Sequence, residues 1–259
     1  MHTNSKTVII IHIPKAAGTT LQEVMWRQCK PQRVFYFYRG PDQHSIDTFR
    51  ELPEHTQARL RYIGGHMPFG LHQWLPQPTT YITILRNPVE RIVSDYYHVC
   101  KNPIHRSHSE PIEKNISLEY YIQRIVDENT TNLQTRWVSG CVDFDSVIPP
   151  YENLPANALD LAKENIENFF SVCGLIERFD ESLLLMQKIL GWKNVYYMRR
   201  NVGKRRASKD QLSGTTRRLI EKYEEKDLEL VEYAAKGLSE MLDEKARVFR
   251  KNQLPSWSA

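Results

Sequence analysis

Thr7–Leu21, TVIIIHIPKAAGTTL, is the stretch whose reading decides the fold. Val8 to Ile11 is an apolar, β-branched run of the kind that forms a buried strand. The run breaks at Pro14, passes through Lys15-Ala16-Ala17-Gly18, and resumes as a helix with Thr19 or Thr20 near its start. A strand, a tight loop carrying Lys and Gly, and a Thr-headed helix together make an anion cradle. The first N–H groups of a helix have no partners inside it and point at whatever lies in front. Small residues let a phosphate approach the backbone, Lys15 adds a point charge, and the Thr hydroxyls add donors. The order is not that of a Walker A loop, which ends in Gly-Lys-Ser/Thr. Here Lys15 precedes the glycine. The loop therefore reads as a nucleotide 5′-phosphate site of another kind.

Working outward, Val34–Phe37, Arg61–Ile63 (running into Gly64-Gly65-His66) and Tyr81–Leu85 read as further strands. Phe169–Leu175 and a short Asn194–Met198 follow. Helices are expected at Thr19–Cys29, within Ser45–Leu60, from Pro88 to Cys100, and at Leu118–Asp127, Thr130–Trp137, Ala156–Asn168 and Phe179–Leu190. Two charged helices, Lys209–Tyr223 and Lys226–Phe249, end the chain. Strands alternating with helices predict an α/β fold with a P-loop-like, parallel sheet flanked by helices and a helical C-terminal end. One domain over 1–259 is expected, with its nucleotide-binding core at about 6–206 and C-terminal helices at about 207–250.

Composition narrows the class. With 41% hydrophobic and 25% charged residues, the 259-residue chain reads as an ordinary soluble globular protein. A net charge of +4, dispersed along the chain, suits anionic ligands and gives no argument for nucleic acid. Four scattered cysteines without CxxC spacing give no zinc motif, and no metal is expected. No apolar run approaches the ~20 residues of a membrane span, and no targeting segment is read.

The strand Tyr81–Leu85 ends in Arg86-Asn87-Pro88, and the helix after it carries Ser94 two turns in. An arginine at the C-terminal end of a strand lies where open α/β sheets bind ligands. A guanidinium and a helix hydroxyl can grip one phosphate together. A capping or ion-pair role for Arg86, and a solvated or back-bonded Ser94, are the structural alternatives.

Taken together, HIPKAAGTTL and ITILRNPVERIVSDYYH resemble the paired signatures of sulfotransferases that use phosphoadenosine phosphosulfate (PAPS), in particular the heparan sulfate 2-O- and 6-O-sulfotransferase-like family and its bacterial relatives. DENTTNLQTRWVSG (Asp127–Gly140) and VCGLIERFDESLLLMQKILGW (Val172–Trp192) resemble later segments of the same family. The resemblance runs from about Lys6 to Arg206. It implies a sulfotransferase fold and transfer of a sulfuryl group from PAPS, leaving PAP. It places Lys15, Ala16, Ala17, Gly18, Thr19 and Thr20 on the 5′-phosphosulfate, and Arg86 and Ser94 on the 3′-phosphate. A late loop that closes over the nucleotide in that family corresponds to the basic run Arg199–Arg206, with Asn201, Gly203 and Lys204 as its expected contacts.

Such a transfer needs a base for the acceptor hydroxyl, and histidine has the pKa nearest to the working pH. Of nine histidines, His66 follows a strand and a glycine pair and precedes Arg86 by about twenty positions, as the catalytic histidine of the 2-O group does. His72, in a Gly-Leu-His setting like that of the 6-O group, is the second candidate. Lys15 is expected to contact the bridging oxygen as the donor bond breaks. His98, one turn past Ser94, matches an acceptor-contacting histidine of the 6-O group and reads equally as a packed residue. Gln134 and Arg136 could line the acceptor cleft, or Arg136 could be a structural ion-pair residue. The polar loop Lys101–Glu113 would help to shape that cleft, and its composition suits a carbohydrate. A cytoplasmic location is expected for a bacterial member, the preferred reading, and the Golgi lumen for a trimmed eukaryotic chain. A P-loop kinase or NTPase, and a non-catalytic module binding anionic glycans on the same scaffold, are the competing readings. Oligomeric state is left open.

Overall fold

Thr7–Ile11 forms β1, the central strand of a five-stranded sheet, in a computed structural model that describes residues 6–37, 46–101, 116–144, 151–197 and 212–253. Every residue of β1 is buried, as expected of a strand covered on both faces. The other strands are β2 (Val34–Phe37), β3 (Tyr62–Gly65), β4 (Thr79–Leu85) and β5 (Phe170–Leu175). Their order is β2-β3-β1-β4-β5, and all four pairings are parallel. Ile11 lies level with Gly65 on one side and Thr83 on the other, and the Thr83 hydroxyl donates to the Ile11 carbonyl at 2.9 Å. The C-terminal ends of β1, β3 and β4 thus share one edge. From β1 the chain moves out to β2 and returns through β3, whereas β4 and β5 lie on the other side. β1 and β4 therefore flank the point where the direction of winding reverses, the place where such sheets open a crevice for ligands.

The helices are α1 (Gly18–Trp26), α2 (Ile46–Arg50), α3 (Glu54–Gln57), α4 (Pro88–Lys101), α5 (Leu118–Asp127), α6 (Leu133–Ser139), α7 (Ala158–Phe169), α8 (Phe179–Leu190), α9 (Gly214–Tyr223) and α10 (Glu225–Gln253). The main core joins the sheet to α1, α6, α7 and α8. It also takes Leu230, Ala234 and Leu238 from α10, so the C-terminal helix is built into the same core as β1. A smaller cluster seats α4 (Val89, Ile92, Val99) on α5 (Tyr121, Ile122, Ile125) and on Ile220 of α9.

Local chemistry sets several boundaries. Pro88 opens α4, and the Asn87 side chain accepts from Val89 N–H (3.1 Å) and Glu90 N–H (3.3 Å). Ser213 caps α9 by accepting from Thr216 N–H at 3.0 Å. The helix expected from Thr130 begins only at Leu133, because Asn132 is left-handed with φ 53°. One expected strand is absent. Asn194–Tyr197 is irregular, and Met198 lies outside the described residues. Side chains hold this segment in place of a strand ladder: Lys193 N–H donates to Gln28 at 2.8 Å, Arg27 bonds the Tyr196 carbonyl, and the Tyr197 hydroxyl donates to Asp180 at 2.6 Å. Among the described residues, no helix is long and apolar enough to cross a membrane.

Candidate active site

The loop after β1 turns sharply by placing two non-glycine residues in left-handed backbone: Lys15 at φ 66° and Ala17 at φ 59°. Such conformations are costly for residues with a Cβ and concentrate at functional sites. Ala17 is also the N-cap of α1, and no side chain caps it. A helix start without a side-chain cap leaves N–H groups available to an anion.

Arg86 reaches this loop from the end of β4. Its Nη1 donates to the Lys15 carbonyl at 2.9 Å, and its Nη2 lies 3.3 Å from Glu90 Oε2 one turn into α4. The two strand–loop–helix motifs, 71 positions apart in sequence, are therefore in direct contact. Gln134 of α6 holds Arg86 from behind. Arg86 N–H donates to Gln134 Oε1 and Gln134 Nε2 donates to the Arg86 carbonyl, both at 2.8 Å.

His66 follows β3 and is half-buried. Its Nδ1 lies 2.9 Å from the His12 carbonyl, and its ring lies 4.3 Å from that of His12, centroid to centroid. Trp137 of α6 packs edge-on against it at 6.0 Å. His12 was not picked out from the sequence, although it lies within the deciding stretch. It is the first residue after β1, and its Nδ1 pairs with the Tyr36 hydroxyl. Burial, helped by the Lys15 charge, lowers its pKa to about 4, so its imidazole is neutral at ordinary pH.

His12 and its partner Tyr36 each crowd a glycine. A Cβ on Gly18 would fall 1.8 Å from His12 Cδ2 and 1.9 Å from Nε2. A Cβ at Gly18 would thus collide with an imidazole packed on the helix start. A Cβ on Gly64 would fall 2.8 Å from the Tyr36 ring, the same ring that reaches His12.

Other sequence candidates fall in different places. Ala16 is buried under the loop, Thr19 is exposed, and Thr20 is half-buried in the first turn of α1. Ser94 is 2% exposed, on the buried face of α4 with Arg91. His98 is half-buried one turn later. His72 does not join the group. Its N–H (2.9 Å) and Nδ1 (3.0 Å) engage the Tyr81 hydroxyl, and its ring packs on Phe69 and Phe169, towards the start of β4 and β5. Burial lowers its pKa.

Gln134 and Arg136 do not line a cleft. Gln134 is fully buried, its amide taken up by the backbone of Arg86. Arg136 is 1% exposed, and its guanidinium donates to the carbonyls of Thr131 and Glu152 and to Asn129 Oδ1 at 2.8–2.9 Å. It ties together the connections that flank α6, through neutral acceptors rather than a carboxylate. Asn201, Gly203, Lys204 and most of the Lys101–Glu113 loop lie outside the described residues. Among the described residues, no group of three or more His, Cys, Asp or Glu is arranged around a metal-sized position.

Known proteins resemble this chain at two levels. Over 219 residues it is 26% identical to galactose-3-O-sulfotransferase 3 of Bos taurus, covering 75% of this chain and 48% of that protein. The Homo sapiens protein of the same name is 26% identical over 208 residues, covering 72% and 45%. The chain thus spans about half the length of the curated relatives it matches. Among solved structures, mouse sulfotransferase SULT7A1 complexed with PAP aligns at 14% identity and a TM-score of 0.40, covering 85% of this chain and 63% of that one. The order and register of the five strands make this an α/β fold with a parallel sheet flanked by helices. The family model of galactose-3-O-sulfotransferase matches residues 2–251. It is a sulfotransferase family other than the heparan sulfate 2-O-/6-O- group that the motifs resemble. With nearly its whole length matched, the chain belongs to the galactose-3-O-sulfotransferase family.

Proposed function

We propose that this chain transfers the sulfuryl group of PAPS to a hydroxyl of a carbohydrate, and that the hydroxyl is the 3-position of a galactose. The observation that carries the reading is the contact between Arg86 and the Lys15 loop at the β1/β4 edge, in a chain of this family. A donor with phosphate groups at two ends suits two motifs that meet there. The names of the family and of the bovine and human relatives supply the acceptor class.

In this reading the uncapped start of α1, with Lys15, Ala16, Ala17, Gly18, Thr19 and Thr20, takes the 5′-phosphosulfate, and Arg86 with Ser94 takes the 3′-phosphate. Asn201, Gly203 and Lys204 would close over the nucleotide. The acceptor oxygen attacks sulfur in line, the bond from sulfur to the phosphate oxygen breaks, and PAP leaves. His66 removes the acceptor proton. Its Nδ1 faces a carbonyl, which can only accept, so in the neutral ring the proton sits on Nδ1 and Nε2 is the basic atom. Lys15 stabilises the charge that grows on the leaving oxygen. His98 is kept as a contact to the acceptor sugar.

Two measurements test this. Thermal stabilisation by PAP but not by ATP with Mg²⁺ supports the donor site, and the reverse would favour a kinase or NTPase. Radiolabelled PAPS offered with β-galactosides, desulfated heparan chains and simple phenols then tests the acceptor. Labelling of the galactosides, lost when the 3-hydroxyl is blocked, is the expected result. Dominant labelling of heparan chains would move the acceptor to the class suggested by the motifs, and dominant labelling of phenols would refute a carbohydrate acceptor.

A further inference from the structure

Arg86 is joined to the C-terminal helix by hydrogen bonds that run through Gln134 to Asp227. Asp227, the third residue of α10, is fully buried. Its Oδ2 accepts from Gln134 N–H at 3.1 Å, and its Oδ1 accepts from Thr135 N–H at 2.7 Å and from the Thr135 hydroxyl at 2.8 Å. These are N–H groups of the first turn of α6, which has no side-chain cap of its own. Asn132, where such a cap would sit, bonds other elements instead: its Oδ1 accepts from Asp227 N–H at 3.1 Å, and its Nδ2 donates to the Tyr223 carbonyl at 2.9 Å. Each helix start thus supplies the other with the partner it lacks. A carboxylate at a helix N-terminus is also favoured by the helix dipole.

The far end of the run is Gln134. Its side chain is fully buried and grips both backbone groups of Arg86 at 2.8 Å. A carboxamide carries an acceptor oxygen and a donor nitrogen side by side, and so can meet the N–H and the C=O of one residue together. Arg86 is the first residue after β4, where the sheet ladder has ended and can no longer hold it. Its guanidinium must nevertheless arrive at the Lys15 carbonyl.

We propose that Gln134 is a positioning residue for Arg86, itself set in register by Asp227, so that α10 helps to define the donor site without touching the donor. The proposal rests on the reading of Arg86 as a donor-phosphate contact. Gln134 acts only through Arg86, and its removal should matter for nucleotide only while Arg86 is present. A merely structural glutamine would lower stability and affect nucleotide binding equally with or without that arginine.

The test uses the full chain. Gln134→Ala and Asp227→Asn are made alone and combined with Arg86→Ala. PAP affinity is measured by calorimetry, exchange of the Arg86 amide by NMR, and folding by thermal unfolding. Gln134→Ala should speed exchange at the Arg86 amide and weaken PAP about tenfold, the scale of one lost charge-assisted hydrogen bond, with no further weakening in the Arg86→Ala background. Asp227→Asn should give a smaller effect with the same dependence on Arg86, and it carries the test if Gln134→Ala does not fold. An unchanged Arg86 amide, or an equal loss of PAP affinity in both backgrounds, overturns the relay. If the wild-type chain does not bind PAP, the donor reading falls, and amide exchange alone decides whether Gln134 holds Arg86.

Discussion

The Nδ1–H of His66 donates to the backbone carbonyl of His12 across 2.9 Å, joining the end of β3 to the end of β1. Because the acceptor is a carbonyl, the bond selects one tautomer of His66 and fixes its ring plane without adding charge to it. The neighbouring His12 ring, held neutral by burial, adds no repulsion if His66 takes up a proton.

His66→Ala should leave a folded chain that still binds PAP and transfers sulfate about 10²- to 10⁴-fold more slowly, the usual contribution of a positioned base. Single-turnover transfer from labelled PAPS, beside calorimetric PAP binding, checks this. Wild-type turnover in the variant would move the base elsewhere.

Lys15→Ala should lower kcat by about 10²-fold or more while changing PAP affinity much less, since the ammonium acts on charge that develops only as the donor bond breaks. Steady-state kinetics against PAPS concentration separate the two effects. Normal kcat with a raised KM would make Lys15 a binding residue only.

Gly18→Ala should destabilise the chain by about 1–3 kcal/mol, as overpacking does, because its Cβ would fall 1.8 Å from the His12 ring. Combining it with His12→Ala should cost less than the sum of the two single changes, and urea denaturation of the four proteins measures the coupling. Strict additivity would mean that His12 is not what excludes the Cβ.

Glu224→Gln should remove a pH dependence of stability. Glu224 is fully buried beside Arg91, 3.2 Å away, with Asp227 close by. Burial, reinforced by Asp227, outweighs the attraction of Arg91 and lifts its pKa from 4.5 to about 8. Between those values the folded chain holds a proton that the unfolded chain has lost, so stability falls as pH rises through the window. Below pH 4.5 wild type and variant should be alike. By pH 8 the variant should be the more stable by an amount on the order of a few kcal/mol. His12 acts with the opposite sign, losing stability as pH falls from 6.5 towards 4, but it is common to both proteins and cancels in the difference. Parallel denaturation curves across the window would show that Glu224 is ionised throughout.

Much of the fold was legible in the chain because it is written in local signals. The apolar runs at Thr7–Ile11 and Thr79–Leu85, the glycine pair ending β3, and Pro88 opening α4 each mark an element within a residue or two. The spacing in Phe179–Leu190 predicts α8 over its full length. Asn194–Tyr197 misled because a few apolar and aromatic residues suit a strand and an irregular tether equally well, and the choice depends on Gln28, Arg27 and Asp180, all distant in sequence.

The site divides in the same way. Lys15, Arg86 and His66 are recognisable because each lies in the segment that follows a strand, and a parallel sheet gathers such segments along one edge. Their partners carried no comparable mark. His12 lies in the deciding stretch, yet its importance comes from Tyr36, Gly18 and His66, which only the fold brings to it. Gln134 looked like a polar residue available to a ligand, and burial turned it into a clamp on the backbone of Arg86. Sequence by itself determined the five strands of the sheet, the start of α4 and the charged residues that follow strands, because these depend on neighbours a few positions away. Tertiary structure alone decided which polar side chains hold the backbone, because hydrogen-bond partners are chosen by proximity in space, and burial obliges each polar group to find one.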